Sequence, residues 1–254
     1  MRQAHEGAPT FVFAPHAGGS VLAAGAVVRA LPSPCGVILV DLPQAGEGGN
    51  AGDRPRRVDA AAERLVEELA VLVGDTAQST ILVGNSYGAL VCYEVAQRAV
   101  SAGLDLAGLV VSGFRAPRLP AVDPPLHRLP DAALWAETGA RYGAQILPQD
   151  SLTDDAEEAR LTAALRADLE ACETYRHHNE TELALPITVL SMSHDHTVSR
   201  EDLCAWQSLT AGRFKVIEIN GSHFVWATSP TRVADVLVAA AWHYGRGNTL
   251  GALE

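Results

Sequence analysis

What this sequence lacks sets limits on what it can be. It has no surplus of cations: the formal net charge over 254 residues is −11. Nucleic-acid binding rests largely on neutralising phosphates with Lys and Arg, so the absence of a basic stripe disfavours that role. An acidic partner could still dock, but only through a local basic or apolar patch. Long hydrophobic runs are also missing. Segments such as 106–111 and 236–241 fall far short of the roughly 20 apolar residues that span a bilayer. Residues 1–9 carry no basic-then-apolar signal pattern, so a soluble, cytoplasmic protein with no membrane partner is expected. Cysteine is sparse. Cys35, Cys92, Cys172 and Cys204 stand far apart, with no C-x-x-C pair and no Cys/His spacing suited to zinc, and reduced thiols are expected. No low-complexity tract or internal repeat interrupts the chain. With 48% hydrophobic and 19% charged residues, it reads as a single α/β domain over 1–254 rather than a disordered segment.

What is there centres on Ile81-Leu82-Val83-Gly84-Asn85-Ser86-Tyr87-Gly88-Ala89-Leu90. An apolar, strand-like run enters Gly-Asn-Ser-Tyr-Gly, and an amphipathic run over 89–100 follows at once. That is strand, tight turn and helix, with a serine at the apex. It fits the G-x-S-x-G nucleophile elbow, in which flanking glycines let a strained turn hold the hydroxyl clear of the sheet. The five residues alone also fit an ordinary glycine-containing turn. Their place between strand and helix favours the elbow.

The rest of the chain alternates in the same way. Strands are expected at 10–14, 36–40, 106–113, 187–192 and 214–219. Helices are expected after the His16-Ala17-Gly18-Gly19-Ser20 turn to about Leu31, at 58–73, from near Ser199 through Leu203 and Trp206, and at 230–244. Strands apolar on both faces, alternating with helices, imply a mostly parallel sheet flanked by helices. Residues 44–54 form a glycine-rich loop, and the tail from Gly245 is expected to be mobile. The alternation stops over 115–185. There a proline cluster (Pro117, Pro120, Pro124, Pro125, Pro130, Pro148) and helical patches at 131–138 and 153–177 replace strands. This helical insertion is expected to form a lid over the site.

A serine hydroxyl needs an adjacent base to attack at neutral pH, and the base needs a third group to orient it. In α/β-hydrolases these follow in the order Ser, Asp or Glu, His, each after a strand. Ser86, Asp195 after 187–192 and His223 after 214–219 match that order. All should meet at the carboxyl edge of the sheet, where open α/β folds bind ligands. Asp195 alone could be a turn or capping residue, and His223 alone a surface histidine; the combination is far more specific. His194 and His196 flank Asp195, but no further ligand cluster makes a metal site of them. Oxyanion donors would be the Tyr87 backbone N–H and one from the loop after the first strand, Pro15-His16-Ala17-Gly18-Gly19.

Several stretches together carry a resemblance. They are Phe13-Ala14-Pro15-His16-Ala17-Gly18-Gly19-Ser20, the elbow, Val111-Ser112-Gly113-Phe114-Arg115-Ala116-Pro117, Leu165-Arg166-Ala167-Asp168 with Glu173-Thr174-Tyr175, and Gly221-Ser222-His223-Phe224. Over nearly its whole length the chain resembles the type II thioesterases of polyketide and nonribosomal peptide biosynthesis, stand-alone enzymes of the α/β-hydrolase fold. The resemblance implies Ser86 as nucleophile, His223 as base, Asp195 as orienting acid, and the backbone N–H groups of Ala17 and Tyr87 as the oxyanion hole. It implies an acyl or peptidyl carrier protein bearing an acyl-phosphopantetheine arm as partner, hydrolysis for editing or product release through acyl-Ser86, and no cofactor. A monomer is the default. An acyltransferase or cyclase that passes the acyl group to an amine or alcohol is the alternative on the same scaffold. A non-catalytic carrier-binding protein is a third reading, against which the intact triad argues. Arg166, Asp168, Glu173 and Tyr175 read as lid packing and ion pairs rather than direct chemistry. The chain also departs from the family. Asn85 and Tyr87 replace a usual His and Met, and the bulk of Tyr87 is expected to narrow the acyl site. Glu47 stands where an arginine is usual, which puts carrier docking in question. Ser193-His194-Asp195-His196 replaces a Gly-x-x-Asp pattern but retains the acid.

Overall fold

The computed structural model describes residues 1–40, 54–143, 155–178 and 180–245. Glu47, most of the 44–54 loop, the start of the 153–177 patch and the tail past Gly245 lie outside them. Six strands, β1 (Thr10–Ala14), β2 (Gly36–Leu39), β3 (Thr80–Asn85), β4 (Gly108–Ser112), β5 (Ile187–Met192) and β6 (Phe214–Ile219), form one sheet in the order β2-β1-β3-β4-β5-β6. Every neighbouring pair is parallel. Parallel strands need crossover connections. Among the described residues the α-helices are α1 (Gly25–Ala30), α2 (Val58–Val73), α3 (Tyr87–Ala99), α4 (Asp131–Tyr142), α5 (Asp155–Thr174), α6 (Arg200–Cys204), α7 (Val225–Thr228) and α8 (Pro230–Gly245).

Side chains alternate across a strand, and here the alternation sorts them into two core layers. Phe11, Phe13, Ile81 and Val83 pack with Val27 of α1 and Val233 and Leu237 of α8. Val12, Leu82 and Val111 pack with Leu65 and Leu69 of α2 and Leu90 and Val95 of α3 on the other side. Both faces are covered, which is why the strands read as unbroken apolar runs.

The strand order also places the site. From β1 the chain goes to β2 on one side, then returns to β3 on the other. The loops leaving β1 and β3 therefore flank a crevice at the switch point of the sheet. Register pairs Ala14 with Gly84, so the Pro15–Gly19 loop and the elbow emerge side by side. The α4 and α5 helices lie in the insertion between β4 and β5.

Boundaries moved in a few places. The strand expected at 106–113 is ordered as β4 only from Gly108 to Ser112. Gly113, at φ +64°, turns the chain out of extended geometry. Trp206 sits in the 3-10 turn Ala205–Leu209 rather than in α6, which ends at Cys204. The short α7 was not anticipated. The four cysteines are unpaired. Among the described residues no helix is long and apolar enough to cross a membrane.

Candidate active site

Ser86 has φ 54° and ψ −119°, and is the one non-glycine residue with positive φ among the described residues. Such strain costs roughly 1–3 kcal/mol and persists only where surroundings enforce it. They do so here: the Ser86 N–H donates to the Ser112 carbonyl at 2.8 Å, and the Ala89 N–H to the Ser86 carbonyl at 2.9 Å. The flanking glycines are demanded by space. A Cβ on Gly84 would lie 2.4 Å from the Gly88 oxygen, and one on Gly88 only 2.0 Å from the Ala14 oxygen.

Asp195 and His223 arrive from the ends of β5 and β6, and both are buried. His223 Nδ1 lies 2.9 Å from Asp195 Oδ2. A carboxylate only accepts, so this bond puts the ring proton on Nδ1 and leaves Nε2 as an acceptor. Thr197 fixes the carboxylate in turn, donating to Oδ1 from its hydroxyl at 2.6 Å and from its backbone N–H at 3.0 Å. Burial pushes the Asp195 carboxyl up, but the bond and charge of His223 and both Thr197 bonds outweigh it, leaving it below the ordinary carboxylate value. Asn85, itself buried, accepts from the Ser112 hydroxyl at 2.7 Å and donates to the His223 carbonyl at 3.3 Å. It ties β3 and β4 to the loop that carries His223. Gly113 leaves the ring its space, since a Cβ there would sit 3.1 Å from His223 Cε1. Among the described residues, no hydrogen bond joins the Ser86 hydroxyl to His223. Such bonds often tighten only when substrate binds.

Ser86 and His223 open on one cavity of about 300 Å³. His16 and Ala17 line it from the β1 loop; Leu165, Leu169 and Cys172 line it from α5. Tyr142, at the end of α4, packs on the His223 ring at 4.7 Å between centroids. Tyr87 opens α3, and the first N–H of a helix has no acceptor within the helix. Ala17, in the loop after β1, and Tyr87, at the start of α3, stand on the two sides of the crevice. A strained serine beside an oriented imidazole is the core of what acyl transfer by a serine requires.

Comparison with known proteins follows the same lines. The thioesterase domain model matches residues 9–240. The chain belongs to the thioesterase domain family. RedJ, a thioesterase from the prodiginine biosynthetic pathway in Streptomyces coelicolor, is 31% identical with a TM-score of 0.79, over 92% of this chain and 86% of RedJ. BorB, the type II thioesterase from the borrelidin biosynthetic cluster, is also 31% identical, with a TM-score of 0.80 over 94% and 95% of the two chains. The gramicidin S biosynthesis protein GrsT of Aneurinibacillus migulanus is 28% identical over 212 residues, 83% of this chain and 80% of GrsT. The family resemblance and the α/β-hydrolase fold expected from the sequence are both met.

Within this thioesterase the residues that the sequence singled out hold the helical insertion together, through Arg166 and Glu173, and bind it to the body, through Tyr175 and Asp168. Arg166 donates to the Leu129 carbonyl at 2.7 Å, to Asp131 at 2.5 Å and to the His127 carbonyl. Glu173 accepts from the Leu126 N–H at 2.7 Å and contacts the His127 ring. The Tyr175 hydroxyl donates to Glu94 of α3 at 2.5 Å. Asp168 forms a buried pair with Arg54. The set therefore packs and pairs, as expected. Tyr87 is a correction. Its side chain is not among those lining the cavity; it is 1% exposed and packed in the core beneath the insertion. Burial and the Asp168 charge push its hydroxyl well above the ordinary value. The cavity is instead narrowed by Phe114, Tyr142, Leu165 and Leu169. Sequence reasoning missed Thr197, Asn85's tether, Arg54 and Tyr142. Only Thr197 left a signal, since an Asp followed two residues on by Thr suits a side chain that bonds the backbone ahead of it. Asp59, Glu94 and His178 converge closely enough to hold a metal ion, but Arg98 is ion-paired to both carboxylates.

Proposed function

We propose that this thioesterase hydrolyses acyl thioesters on the phosphopantetheine arm of acyl or peptidyl carrier proteins in polyketide or nonribosomal peptide biosynthesis. The observation that carries the reading is that Ser86, on its strained apex, and His223, bonded behind by Asp195, open on one cavity. Ser86 Oγ attacks the thioester carbonyl while His223 Nε2 takes its proton. The oxyanion is met by the N–H groups of Ala17 and Tyr87. Collapse breaks the C–S bond, and the proton on Nε2 passes to the leaving thiolate. A water, deprotonated by the same nitrogen, then attacks acyl-Ser86; the acid leaves and Ser86 recovers its proton. Asp195 keeps the ring in the right tautomer and stabilises its charged form. The 115–185 insertion serves as the lid, with Leu165 and Leu169 as the acyl chamber's wall.

The test is Ser86→Ala, assayed with acyl-pantetheine and acyl-carrier thioesters with and without amine or alcohol acceptors. Loss of thioester turnover, with free acid as the native product, supports hydrolysis. Unchanged turnover in the variant defeats the serine mechanism, and exclusive amide or ester formation by the native protein replaces hydrolysis with acyl transfer.

A further inference from the structure

Asp168 is fully buried on α5, yet it reaches the loop after β1. Its Oδ2 accepts from the Gly18 N–H at 2.8 Å. Arg54 grips the same carboxylate from the other side, Nε to Oδ1 at 2.6 Å and Nη2 to Oδ2 at 2.5 Å. A bidentate guanidinium fixes the plane of its carboxylate, so Gly18 faces an acceptor that cannot swing away.

The loop itself is a tight turn of defined type. The Gly19 N–H donates to the His16 carbonyl at 2.9 Å, closing a four-residue turn. Its third residue, Gly18, has φ +68°, and its second, Ala17, is not in the positive-φ region. That combination is a type II turn, which differs from type I by a flip of the central peptide. Here the central peptide joins Ala17 to Gly18, and it is held at both ends. Its carbonyl lies 3.0 Å from His16 Nδ1, and its N–H donates to Asp168. A Cβ on Gly18 would come within 3.1 Å of Leu165 Cδ1, so the loop backbone rests directly on α5. A flip would turn the Gly18 N–H away from Asp168 and reset ψ of Ala17, loosening the placement of that residue, whose own N–H, on the preceding peptide, is the proposed oxyanion donor.

We infer that Asp168 is a positioning residue for the oxyanion hole: by anchoring the Ala17–Gly18 peptide it fixes the turn that places Ala17, whose N–H is to meet the reacting carbonyl. Because Asp168 belongs to the insertion, seating of α5 and readiness of the oxyanion loop are coupled. The inference rests on the serine mechanism proposed above.

Two variants test it. Asp168→Leu keeps the side-chain size but offers Gly18 no acceptor. Arg54→Met with Asp168→Leu removes the ion pair whole, a replacement that buried pairs often tolerate, and still leaves Gly18 without its acceptor. Thermal unfolding is measured with kcat and KM for acyl-pantetheine, and with inhibition by a trifluoromethyl ketone acyl analogue and by the product acid. The ketone forms a Ser86 adduct whose oxyanion needs the hole; the acid does not. In the folded variants kcat should fall about 10–100-fold with KM nearly constant, ketone affinity should fall by the same factor, and acid inhibition should hold. Native kcat in either folded variant, recovery of the rate in the double variant, or equal losses for ketone and acid would overturn the inference. Persistence of turnover in Ser86→Ala would instead bring down the underlying mechanism, so the two failures are distinguishable.

Discussion

Replacing Asp195 with asparagine isolates the orienting role of the carboxylate. In the native protein Oδ1 accepts both Thr197 bonds, at 2.6 and 3.0 Å, while Oδ2 faces His223 Nδ1 at 2.9 Å. An asparagine of the same outline keeps its oxygen toward Thr197 and places its NH₂ where Oδ2 was. That donor meets Nδ1, so the ring proton must move to Nε2. The nitrogen facing Ser86 then donates where it should accept, and the protonated ring has lost its counter-charge. The opposite amide rotamer restores the tautomer only by breaking both Thr197 bonds. The fold should survive, because the amide keeps its hydrogen-bond partners; the cost is about 1–2 kcal/mol. The rate should not: a wrong tautomer in a triad costs about 10⁴-fold in kcat, equivalent to about 5.5 kcal/mol of barrier. Thiol release from an acyl-pantetheine thioester gives kcat and KM, with a melting curve on the same sample. A folded Asp195→Asn protein within about tenfold of native kcat would refute the role given to Asp195.

Further expectations follow from the same geometry. Gly88→Ala puts a Cβ 2.0 Å from the Ala14 oxygen and 2.5 Å from its carbonyl carbon, both backbone atoms. It should destabilise the fold by about 1–3 kcal/mol or more in denaturant titration, and lower kcat beyond the folded fraction because α3 carries the Tyr87 N–H. Asn85→Ala leaves the buried Ser112 hydroxyl and the His223 loop without their tie; a loss of about 1–3 kcal/mol in the same titration is expected. Burial, partly opposed by the Ala17 carbonyl, holds His16 down at about 4 from an ordinary 6.5. Between those values the unfolded chain binds the proton that the native state refuses, so stability falls with pH across that window, by up to ~3 kcal/mol. His16→Gln, which keeps a donor for the Ala17 carbonyl, should flatten that acid limb when unfolding is measured from pH 7 to 4.

The sheet was legible because its strands are apolar on both faces and end in glycine, proline or turn residues. Val12, Leu82 and Val189 are core wherever the registers fall. The triad was legible because chain order and strand ends fix where Ser86, Asp195 and His223 must meet. Side-chain direction was not. Tyr87 lies one residue past the serine, yet the first turn of α3 carries its ring into the core. Nor were long-range polar pairs: nothing local marks Arg54 as the partner of Asp168, far along the chain, until folding brings α5 over the β1 loop. Gly18 and Gly88 read alike as turn glycines, although one is set by positive φ and the other by a neighbouring backbone.

The most direct measurement is capture of the covalent intermediate. Native protein is mixed with a slowly hydrolysed acyl-pantetheine thioester, quenched in acid within one turnover, and analysed by intact mass and peptide mapping. The acyl mass should appear on the peptide bearing Ser86 and vanish in Ser86→Ala. Cys172 also lines the cavity, though burial pushes its thiol well above the ordinary range and keeps it a poor nucleophile. Acyl transfer to Cys172, or full turnover with no acyl mass on Ser86 at any quench time, would contradict the serine mechanism.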